Sequence, residues 1–434
     1  MALTGPPSAA PRGVAFITRL KTGNKGNEAL SGEWLRLLQS HLPSGGLRIA
    51  PRVPDHLLQF NLDALRNPAQ APDLFRGWAE RTIRDWAAAP PEPAPSLPPS
   101  IVLDERHRVD DTWLTSLKQR LNIRSRLARL GTFRREYGSR LSAFSDAGCV
   151  ILNPAGEFWS TARDIPLRHL LDIYIAKRLG CRTAIVNHTF ELAEPILLEV
   201  AKLVYGSMDL ISVREEQSKR RLTDLGIDAD KILVAPDLVF MTDPVPLAKQ
   251  ASGSPHIAIC PNSAYLANAA DEWGHLVGKL LEKGWKVSLV TNDFPIDRAT
   301  LDRLSTSFRL PQLGEGMSYR QYSGLLGTFD AVVSSRLHSC VMGLTGGAPV
   351  VPIEGLQFKI TAAMAAAGVP VPAVRPSTAG WQDSAMASIE SVLSDPGKAR
   401  GWVRAVVERQ RQGIATFLDQ VNVRLSLVPA AAAA

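Results

Sequence analysis

Short apolar runs alternate with amphipathic segments along most of the chain. The runs predict strands at residues 14–18, 150–152, 183–186, 210–213, 232–234, 257–260, 287–291, 331–333 and 349–353. Between many of them, apolar residues recur at helical spacing and predict helices, as at 167–179, 195–206, 215–225, 271–283 and 297–307. Strands that alternate with helices predict parallel sheets with helices on both faces. The predicted fold class is therefore α/β.

The alternation pauses at residues 241–255, where proline, serine and glycine are frequent. A chain of 434 residues exceeds what one hydrophobic core usually covers, so this stretch predicts a linker. We expect a Rossmann-like N-terminal domain over residues 1–245 and a Rossmann-like C-terminal domain over 255–434, with the main cleft between them. Helices predicted near 382–394 and 397–420 are expected to pack back on the N-terminal domain.

An insert near residues 60–145 interrupts the α/β pattern. It predicts a helix over 61–88 and a proline-rich surface loop over 89–99. Residues 106–140 carry ten Arg or Lys against three acids and have apolar residues at helical spacing, which predicts a basic amphipathic helix or helix pair. One interpretation is contact with an anionic membrane surface or a lipid-linked acceptor. The other is a helix that covers the domain and exposes its basic face to water.

The composition is 45% hydrophobic and 21% charged, as in soluble globular proteins. The chain lacks an apolar run of about 20 residues and a signal-peptide pattern at its start, so we expect a cytoplasmic protein, peripheral at the inner membrane face if the basic insert binds lipid. The net charge of +7 favours anionic partners. Nucleic acid is not expected, because no nucleic-acid-binding motif is recognised. The four cysteines show no metal-ligand spacing.

A glycine-containing segment connects the first predicted strand to a helix. This glycine loop, residues 23–29, has the sequence G-N-K-G-N-E-A and includes Gly23, Asn24, Lys25, Gly26 and Asn27. Such a turn places backbone N–H groups and the positive end of a helix at one position, where an anion or an acceptor can bind. The alternative is a turn whose glycines serve packing alone.

The segment S-S-R-L-H-S at residues 334–339, which we call the arginine turn, follows an apolar strand and leads into a helix. Arg336 and His338 lie in this turn, and Lys359 follows the next predicted strand. Ligands of open α/β sheets bind at such strand ends. Two cations and one titratable imidazole suit a small substrate with two anionic groups that also exchanges a proton.

Further candidates follow other predicted strands. Glu157 and His188 are candidates for binding an acceptor or for deprotonating a sugar hydroxyl. Asp237 is a candidate for acceptor contact or for capping a turn that faces the cleft. Asp293 and Asp297 lie four residues apart, but a helix cap explains one of them. We therefore predict no metal site and an enzyme that needs no metal.

Three of these segments together resemble the polysaccharide pyruvyl transferase family. They are the glycine loop, the block S-V-R-E-E-Q-S-K-R-R-L-T-D-L-G-I (212–227) with V-A-P-D-L-V-F (234–240), and residues 334–360 from the arginine turn to F-K-I. The family usually has an acidic residue where this chain has Asn27, and a glycine triplet where it has residues 153–157. The resemblance implies two Rossmann-like domains arranged as in GT-B glycosyltransferases. It further implies that the N-terminal domain binds the acceptor and the C-terminal domain the donor.

The resemblance also implies a reaction, the transfer of pyruvate from phosphoenolpyruvate to two sugar hydroxyls of an exopolysaccharide or capsule precursor as a ketal. Arg336 would hold the donor phosphate or carboxylate and Lys359 would supply a point charge. His338 would protonate the enol carbon as general acid. Ser335 and Ser339 would add phosphate contacts, together with the N–H groups of the following helix. No cofactor is expected besides this donor substrate.

A second function fits the same fold, namely glycosyl transfer from a nucleotide-activated sugar. A CMP-linked keto-acid sugar is a natural donor, because it too presents a carboxylate beside the reacting carbon. A third interpretation is a glycan-binding or scaffold protein without activity. The joint presence of Arg336, His338 and Lys359 argues against that third interpretation.

Overall fold

A computed structural model describes residues 13–18, 23–42, 46–51, 67–88, 140–154, 158, 164–249, 253–263, 269–355 and 358–427. The chain divides into two compact units. The first unit comprises Met1–Leu20, Trp34–Val234 and Phe417–Ala434, and the second comprises Lys21–Glu33 and Ala235–Thr416. The division after Val234 precedes the predicted linker. The beginning of the glycine-loop helix belongs to the second unit, and the end of the chain belongs to the first.

The first unit is built on a parallel sheet of six strands. Its strands are β1 (Gly13–Thr18), β2 (Leu47–Pro51), β3 (Gly148–Leu152), β4 (Arg182–His188), β5 (Leu210–Val213) and β6 (Ile232–Val234), in the order β2-β1-β3-β4-β5-β6. Five of these strands were predicted by their apolar runs. The pattern misses β2, whose five residues include Arg48 and Pro51.

The helices of this part of the chain are α1 (Lys25–His41), α2 (Ala71–Ala87), α3 (Asp164–Arg178), α4 (Pro195–Ser207) and α5 (Glu216–Asp224). Residues 140–147 are also helical, and short 3-10 turns span Pro68–Gln70 and Ala229–Lys231. The predicted helix over 61–88 is confirmed for α2. Buried residues of β1, β3, β4 and β5 and of the helices α2, α3 and α4 form one continuous core.

The second unit contains a parallel sheet of five strands in the order β11-β10-β7-β8-β9. The strands are β7 (His256–Cys260), β8 (Lys286–Val290), β9 (Gln312–Leu313), β10 (Ala331–Ser334) and β11 (Val350–Pro352). The helices are α6 (Ala269–Glu282), α7 (Phe294–Phe308), α8 (Tyr319–Leu326), α9 (Leu337–Gly346), α10 (Lys359–Ala367), α11 (Trp381–Ser394) and α12 (Pro396–Leu425), with a 3-10 turn at Leu238–Met241.

Local chemistry sets the ends of several of these elements. Ser318 and Gln321 form a reciprocal capping box that begins α8. Gly347, at a φ of 95°, ends α9 in the left-handed conformation that glycine adopts without strain. In the last helix, Phe417 packs edge-on against Trp34 within the first unit. The end of α12 therefore packs against α1 within the first unit.

The strand order of the second unit locates a ligand-binding position. The chain proceeds from β7 to β8 and β9 on one side of the sheet, and β10 and β11 lie on the other side of β7. Such a reversal is a topological switch point, and ligands of open α/β sheets bind outside the carboxyl ends of the strands there. The arginine turn follows β10 directly.

The proline-rich segment 89–99 and nearly all of the basic segment 106–140 lie outside the described residues. Their predicted structures, and the membrane contact of the basic segment, stay predictions. Among the helices that the structure describes, none combines the length and the apolar character needed to span a bilayer.

Candidate functional site

The carboxyl ends of β7 and β10 are tied together through Ser335. Its backbone N–H donates to the carbonyl of Cys260 over 3.0 Å, and its hydroxyl accepts the N–H of Asn262 over 2.7 Å. Ser335 is buried, and these two bonds fix the backbone at the switch point. A contact between its hydroxyl and a donor phosphate stays a prediction.

Arg336 is bound by two carboxylates. Its Nε donates to Oδ2 of Asp297 over 3.0 Å and its Nη2 to Oδ1 of the same residue over 2.6 Å. Its Nη1 lies 3.5 Å from Oδ2 of Asp293. The charge of Arg336 is therefore compensated by residues 39 and 43 positions earlier in the chain. A donor contact by Arg336 stays a prediction.

The two carboxylates are themselves held by neighbouring polar groups. Asp297 is fully buried and accepts the N–H of Ser263 and the hydroxyl of Thr291. Burial raises the pKa of the Asp293 carboxyl, and the charge of Arg336 partly opposes that rise. Neither carboxylate is explained by a helix cap alone. The sequence signal for both was their position after the buried strand β8.

The glycine loop is anchored at the end of β8. Asn24 donates from Nδ2 to Oδ2 of Asp293 over 2.7 Å, and its Oδ1 accepts from Nδ2 of Asn292 over 3.0 Å. The same Oδ1 accepts the N–H groups of Gly26 and Asn27, which begin helix α1. Two of the N–H groups that the sequence assigns to an anion are thus satisfied by Asn24.

The N–H group of Gly23 and the ammonium of Lys25 also have partners near the loop. Gly23 adopts a φ of 69°, and its N–H donates to a side-chain oxygen of Glu28 over 3.2 Å. The ammonium of Lys25 lies 5.3 Å from the ring centre of Phe294 and 5.6 Å from that of Tyr322. Lys25 is buried, and burial lowers the pKa of its ammonium. The two aromatic rings and the carboxylates of Glu28, Glu315 and Asp293 oppose this effect and favour the charged ammonium.

His338 lies between two segments that are distant in sequence. Its Nε2 is 3.6 Å from Oδ2 of Asp237, and both side chains are largely enclosed, with exposed fractions of 11% and 4%. On another side the imidazole packs directly against the backbone of Gly26. Three residues that the sequence singled out for separate reasons, Gly26, Asp237 and His338, are thus in contact within the second unit.

Ser339 does not present its hydroxyl to a ligand. The residue is fully buried, and its Oγ contacts Oδ1 of Asn292, the sulfur of Cys260 and the hydroxyl of Tyr322. The prediction that Ser339 contacts the donor phosphate is therefore wrong. Its hydroxyl instead joins the start of α9 to the ends of β7 and β8.

Lys359 is the first residue of α10 and is half-buried. The helix follows β11, which pairs with β10 so that Pro352 is the partner of Ser334. Lys359 and the arginine turn therefore follow the same edge of one sheet. The N–H groups of the two residues after Lys359 donate to the carboxylate of Glu354, which compensates this helix end. A donor contact by Lys359 stays a prediction.

In the first unit, His188 is fully buried in the core. Its Nδ1 is 3.0 Å from the carbonyl of Ser212, and its Nε2 is 2.7 Å from the hydroxyl of Tyr205. Burial lowers the pKa of His188 to about 3, with a further contribution from the charge of Arg214. The structure corrects its assignment to acceptor binding, because the imidazole has no exposed surface. Glu157 lies outside the described residues.

Arg214 and Glu215 belong to a buried polar network in the first unit. Nη2 of Arg214 donates to the hydroxyl of Thr189 over 2.9 Å, and Glu215 accepts from Thr189 and from Ser218. Burial raises the pKa of Glu215, and the charge of Arg214 opposes it. This network joins the residues after β4 to the start of α5.

Comparison with known proteins supplies the family. The model of the polysaccharide pyruvyl transferase family matches residues 24–355, a range that includes most of the glycine loop and the arginine turn. Comparison with curated protein sequences gives no match.

Solved structures with a similar fold include glycosyltransferases. Anabaena HepE in complex with UDP-glucose aligns with a TM-score of 0.52 at 13% identity, covering 95% of this chain and 99% of that chain. HepE with UDP and glucose gives 0.51 at 11% identity, with 96% and 99% covered. A glycosyltransferase from Rickettsia africae ESF-5 gives 0.49 at 12% identity, also with 96% and 99% covered.

At these identities the likeness to HepE shows the fold alone, which is the α/β fold with two Rossmann-like units found in GT-B enzymes. The family model, by contrast, spans well over half of the chain and includes the residues that surround His338. The chain therefore belongs to the polysaccharide pyruvyl transferase family and is a transferase.

Proposed function

We propose that this protein transfers the pyruvyl group of phosphoenolpyruvate to two hydroxyls of a saccharide, as a cyclic ketal, during synthesis of an exopolysaccharide or capsule. The observation that carries the proposal is the ion-pair geometry of His338 and Asp237, whose Nε2 and Oδ2 atoms lie 3.6 Å apart. His338 is two residues from Arg336. Arg336 and His338 follow β10, next to the switch point of the second sheet. A proton donor therefore lies where a small ligand of an open α/β sheet would bind.

The reaction requires one proton at carbon and two from oxygen. Protonation of the enol CH2 carbon by His338 makes the central carbon electrophilic, and a sugar hydroxyl attacks it. The phosphate leaves with the electron pair of its C–O bond, and the second hydroxyl closes the ketal. Of the two hydroxyl protons released, one restores the imidazolium and the other is carried away on inorganic phosphate. Histidine suits this exchange because an imidazole nitrogen can both donate and accept a proton.

Donor binding is assigned to Arg336 and Lys359. The guanidinium nitrogen Nη1 has the longest carboxylate contact, 3.5 Å to Asp293, whereas Nε and Nη2 bind Asp297 closely. We assign Nη1 to the phosphate or carboxylate of the donor, with Asp297 holding the guanidinium plane in place. Lys359 would add a point charge at the same sheet edge, and Ser335 a hydroxyl.

The acceptor is a saccharide, for which we propose a lipid-linked precursor at the membrane surface. The first unit would bind it, and the basic residues of 106–140 would supply the electrostatic contact. We propose that the reaction proceeds without a metal or a cofactor, so that protein groups alone compensate the charge of the donor.

The test is incubation of the purified protein with phosphoenolpyruvate and a set of saccharide acceptors. We expect acceptor-dependent release of inorganic phosphate and no turnover by a folded His338→Ala variant. A wild-type rate in that variant would remove His338 from the mechanism. Release of phosphate without any change in the acceptor would instead indicate simple hydrolysis and would contradict transfer.

Glycosyl transfer is the second candidate, and the fold likeness to HepE, whose structure holds UDP-glucose, favours it. The same purified protein is therefore incubated with UDP- and CMP-activated sugars, including a CMP-linked keto-acid sugar. Nucleotide release with acceptor modification, without phosphate release from phosphoenolpyruvate, would establish this alternative in place of pyruvyl transfer.

A further inference from the structure

We infer that Asp237 and Gly26 position the imidazole of His338 for proton transfer, an inference that rests on the function proposed above. Neither residue needs to touch the substrate for this role. Asp237 supplies a fixed negative charge on one side of the ring, and Gly26 supplies the space that the ring occupies on another. The two residues lie more than 200 positions apart in sequence, and both contacts are made within the second unit.

The carboxylate of Asp237 is held by its own backbone. Its Oδ1 accepts the N–H of Val239 over 3.0 Å and so caps the 3-10 turn Leu238–Met241. That bond leaves Oδ2 as the oxygen nearest to His338, at 3.6 Å from Nε2. A separation of 3.6 Å is longer than a hydrogen bond but is an ion pair when the ring is protonated. The carboxylate therefore faces the Nε2 side of the ring, while Gly26 bounds the ring on another side.

Gly26 leaves no room for a side chain. A Cβ at this position would lie 2.1 Å from Nδ1, 2.4 Å from Cγ and 2.6 Å from Cβ of His338. The loop cannot move away easily, because Asn24 ties it to Asp293 and Asn292. The backbone of Gly26 thus contacts the ring of His338 and limits its position on that side.

The variant Asp237→Asn removes the negative charge beside His338 but keeps the turn cap, since asparagine caps a turn about as well as aspartate does. We expect kcat with phosphoenolpyruvate to fall about 10- to 100-fold with little change in KM, as for loss of support to a general acid. The pH profile of kcat should differ from that of the wild type, because no carboxylate then faces the ring. An unchanged kcat and pH profile would overturn the role of Asp237.

A matched control exists in the first unit. Asp228 caps the 3-10 turn Ala229–Lys231 through the N–H of Asp230, over the same 3.0 Å, and is exposed. Asp228→Asn should leave kcat, KM and the pH profile at wild-type values. Equal losses in Asp228→Asn and Asp237→Asn would show that turn capping, and not the charge beside His338, causes the effect.

Gly26→Ala tests the second contact. Alanine normally stabilises a helix relative to glycine, but here its methyl group would displace His338. We expect at least a tenfold loss of kcat. Gly278→Ala is the control, because this glycine lies in α6 with open space around it. Full activity in Gly26→Ala would contradict the steric argument.

A spectroscopic readout separates this inference from the proposed function. The ring nitrogen signals of His338, assigned in 15N NMR spectra by their loss in His338→Gln, should shift in Asp237→Asn and stay in place in Asp228→Asn. If the signals shift but the protein does not use phosphoenolpyruvate, the proposed function fails and the positioning of His338 stands. If the protein is active and the signals of Asp237→Asn match wild type, the positioning fails alone.

Discussion

The carboxylate of Asp297 offers the sharpest test of how the arginine turn is held together. The substitution Asp297→Asn keeps the shape of the side chain and removes its charge. The residue is fully buried on helix α7, and its oxygens accept from Nε and Nη2 of Arg336 at 3.0 and 2.6 Å. They also accept from Ser263 and Thr291. In the variant, an amide NH2 group replaces one of the two oxygens that accept from the guanidinium of Arg336.

The magnitude follows from these contacts. Breaking a buried ion pair by removing one partner costs about 3–5 kcal/mol, because the remaining charge stays in the interior without compensation. In Asp297→Asn one oxygen remains as an acceptor for Ser263, and Asp293 remains 3.5 Å from Nη1 of Arg336. We therefore expect a loss near the lower end, about 3 kcal/mol in the free energy of unfolding of the second unit.

The assay is urea unfolding followed by tryptophan fluorescence. Trp273 and Trp381 pack edge-on in the core of the second unit, with ring centres 5.5 Å apart, so they supply that unit's share of the signal from the nine tryptophans. Two units need not unfold in one step, so a circular dichroism curve is recorded beside the fluorescence curve. The control is Asp302→Asn in the same helix, an exposed residue that accepts from Gln312 over 2.9 Å. It should change stability by less than about 0.5 kcal/mol.

A loss below about 1 kcal/mol in Asp297→Asn would refute the buried ion pair as described. The double variant Asp297→Asn with Arg336→Met adds a second criterion. Because it also removes the uncompensated cation, we expect it to be less destabilised than the sum of the two single variants. Strict additivity would show that the two side chains do not interact.

Three further predictions concern pH, metal and membrane. Since the folded-state pKa of His188 lies near 3 and that of the unfolded chain near 6.5, the unfolded chain takes up a proton that the folded chain excludes. Stability should therefore fall by about 1.5 kcal/mol between pH 6.5 and pH 5, and His188→Gln should weaken this dependence measurably in urea titrations. Phosphate release should persist in EDTA, and activity lost to the chelator and restored by magnesium would overturn metal independence. Replacing the arginines of 120–135 by glutamine should reduce binding to anionic vesicles in a sedimentation assay, whereas unchanged binding would rule out an electrostatic contact.

The strands were predictable where burial makes them uniformly apolar. All six residues of β1 and all four of β10 are buried, so each appears in the sequence as a continuous apolar run. Strand β9 has two residues, both only half-buried, and β2 includes an arginine and a proline. Neither produces an apolar run, and both were missed for that reason.

The sequence allowed us to predict which residues belong to the candidate site, but not which residues they contact. The sequence predicted that Arg336 and His338 follow a strand, and in the structure both come directly after β10. Their roles toward a donor stay predictions. The partners of Arg336 were not predictable, because an ion pair between residues 39 positions apart depends on which strands are neighbours. The spacing of Asp293 and Asp297 does not show whether they serve as a cap, a metal site or counter-ions. His188 shows the opposite error, since a strand end in the sequence need not reach the surface.

The most direct measurement of the central claim is the reaction of phosphoenolpyruvate with a saccharide acceptor in D2O, analysed by NMR and mass spectrometry. Protonation of the enol carbon before ketal closure predicts a ketal methyl group that carries a single deuterium, with one inorganic phosphate released per ketal. Asp237→Asn should form the same product more slowly. An acceptor that gains no pyruvyl group while a nucleotide is released from an activated sugar would contradict the account.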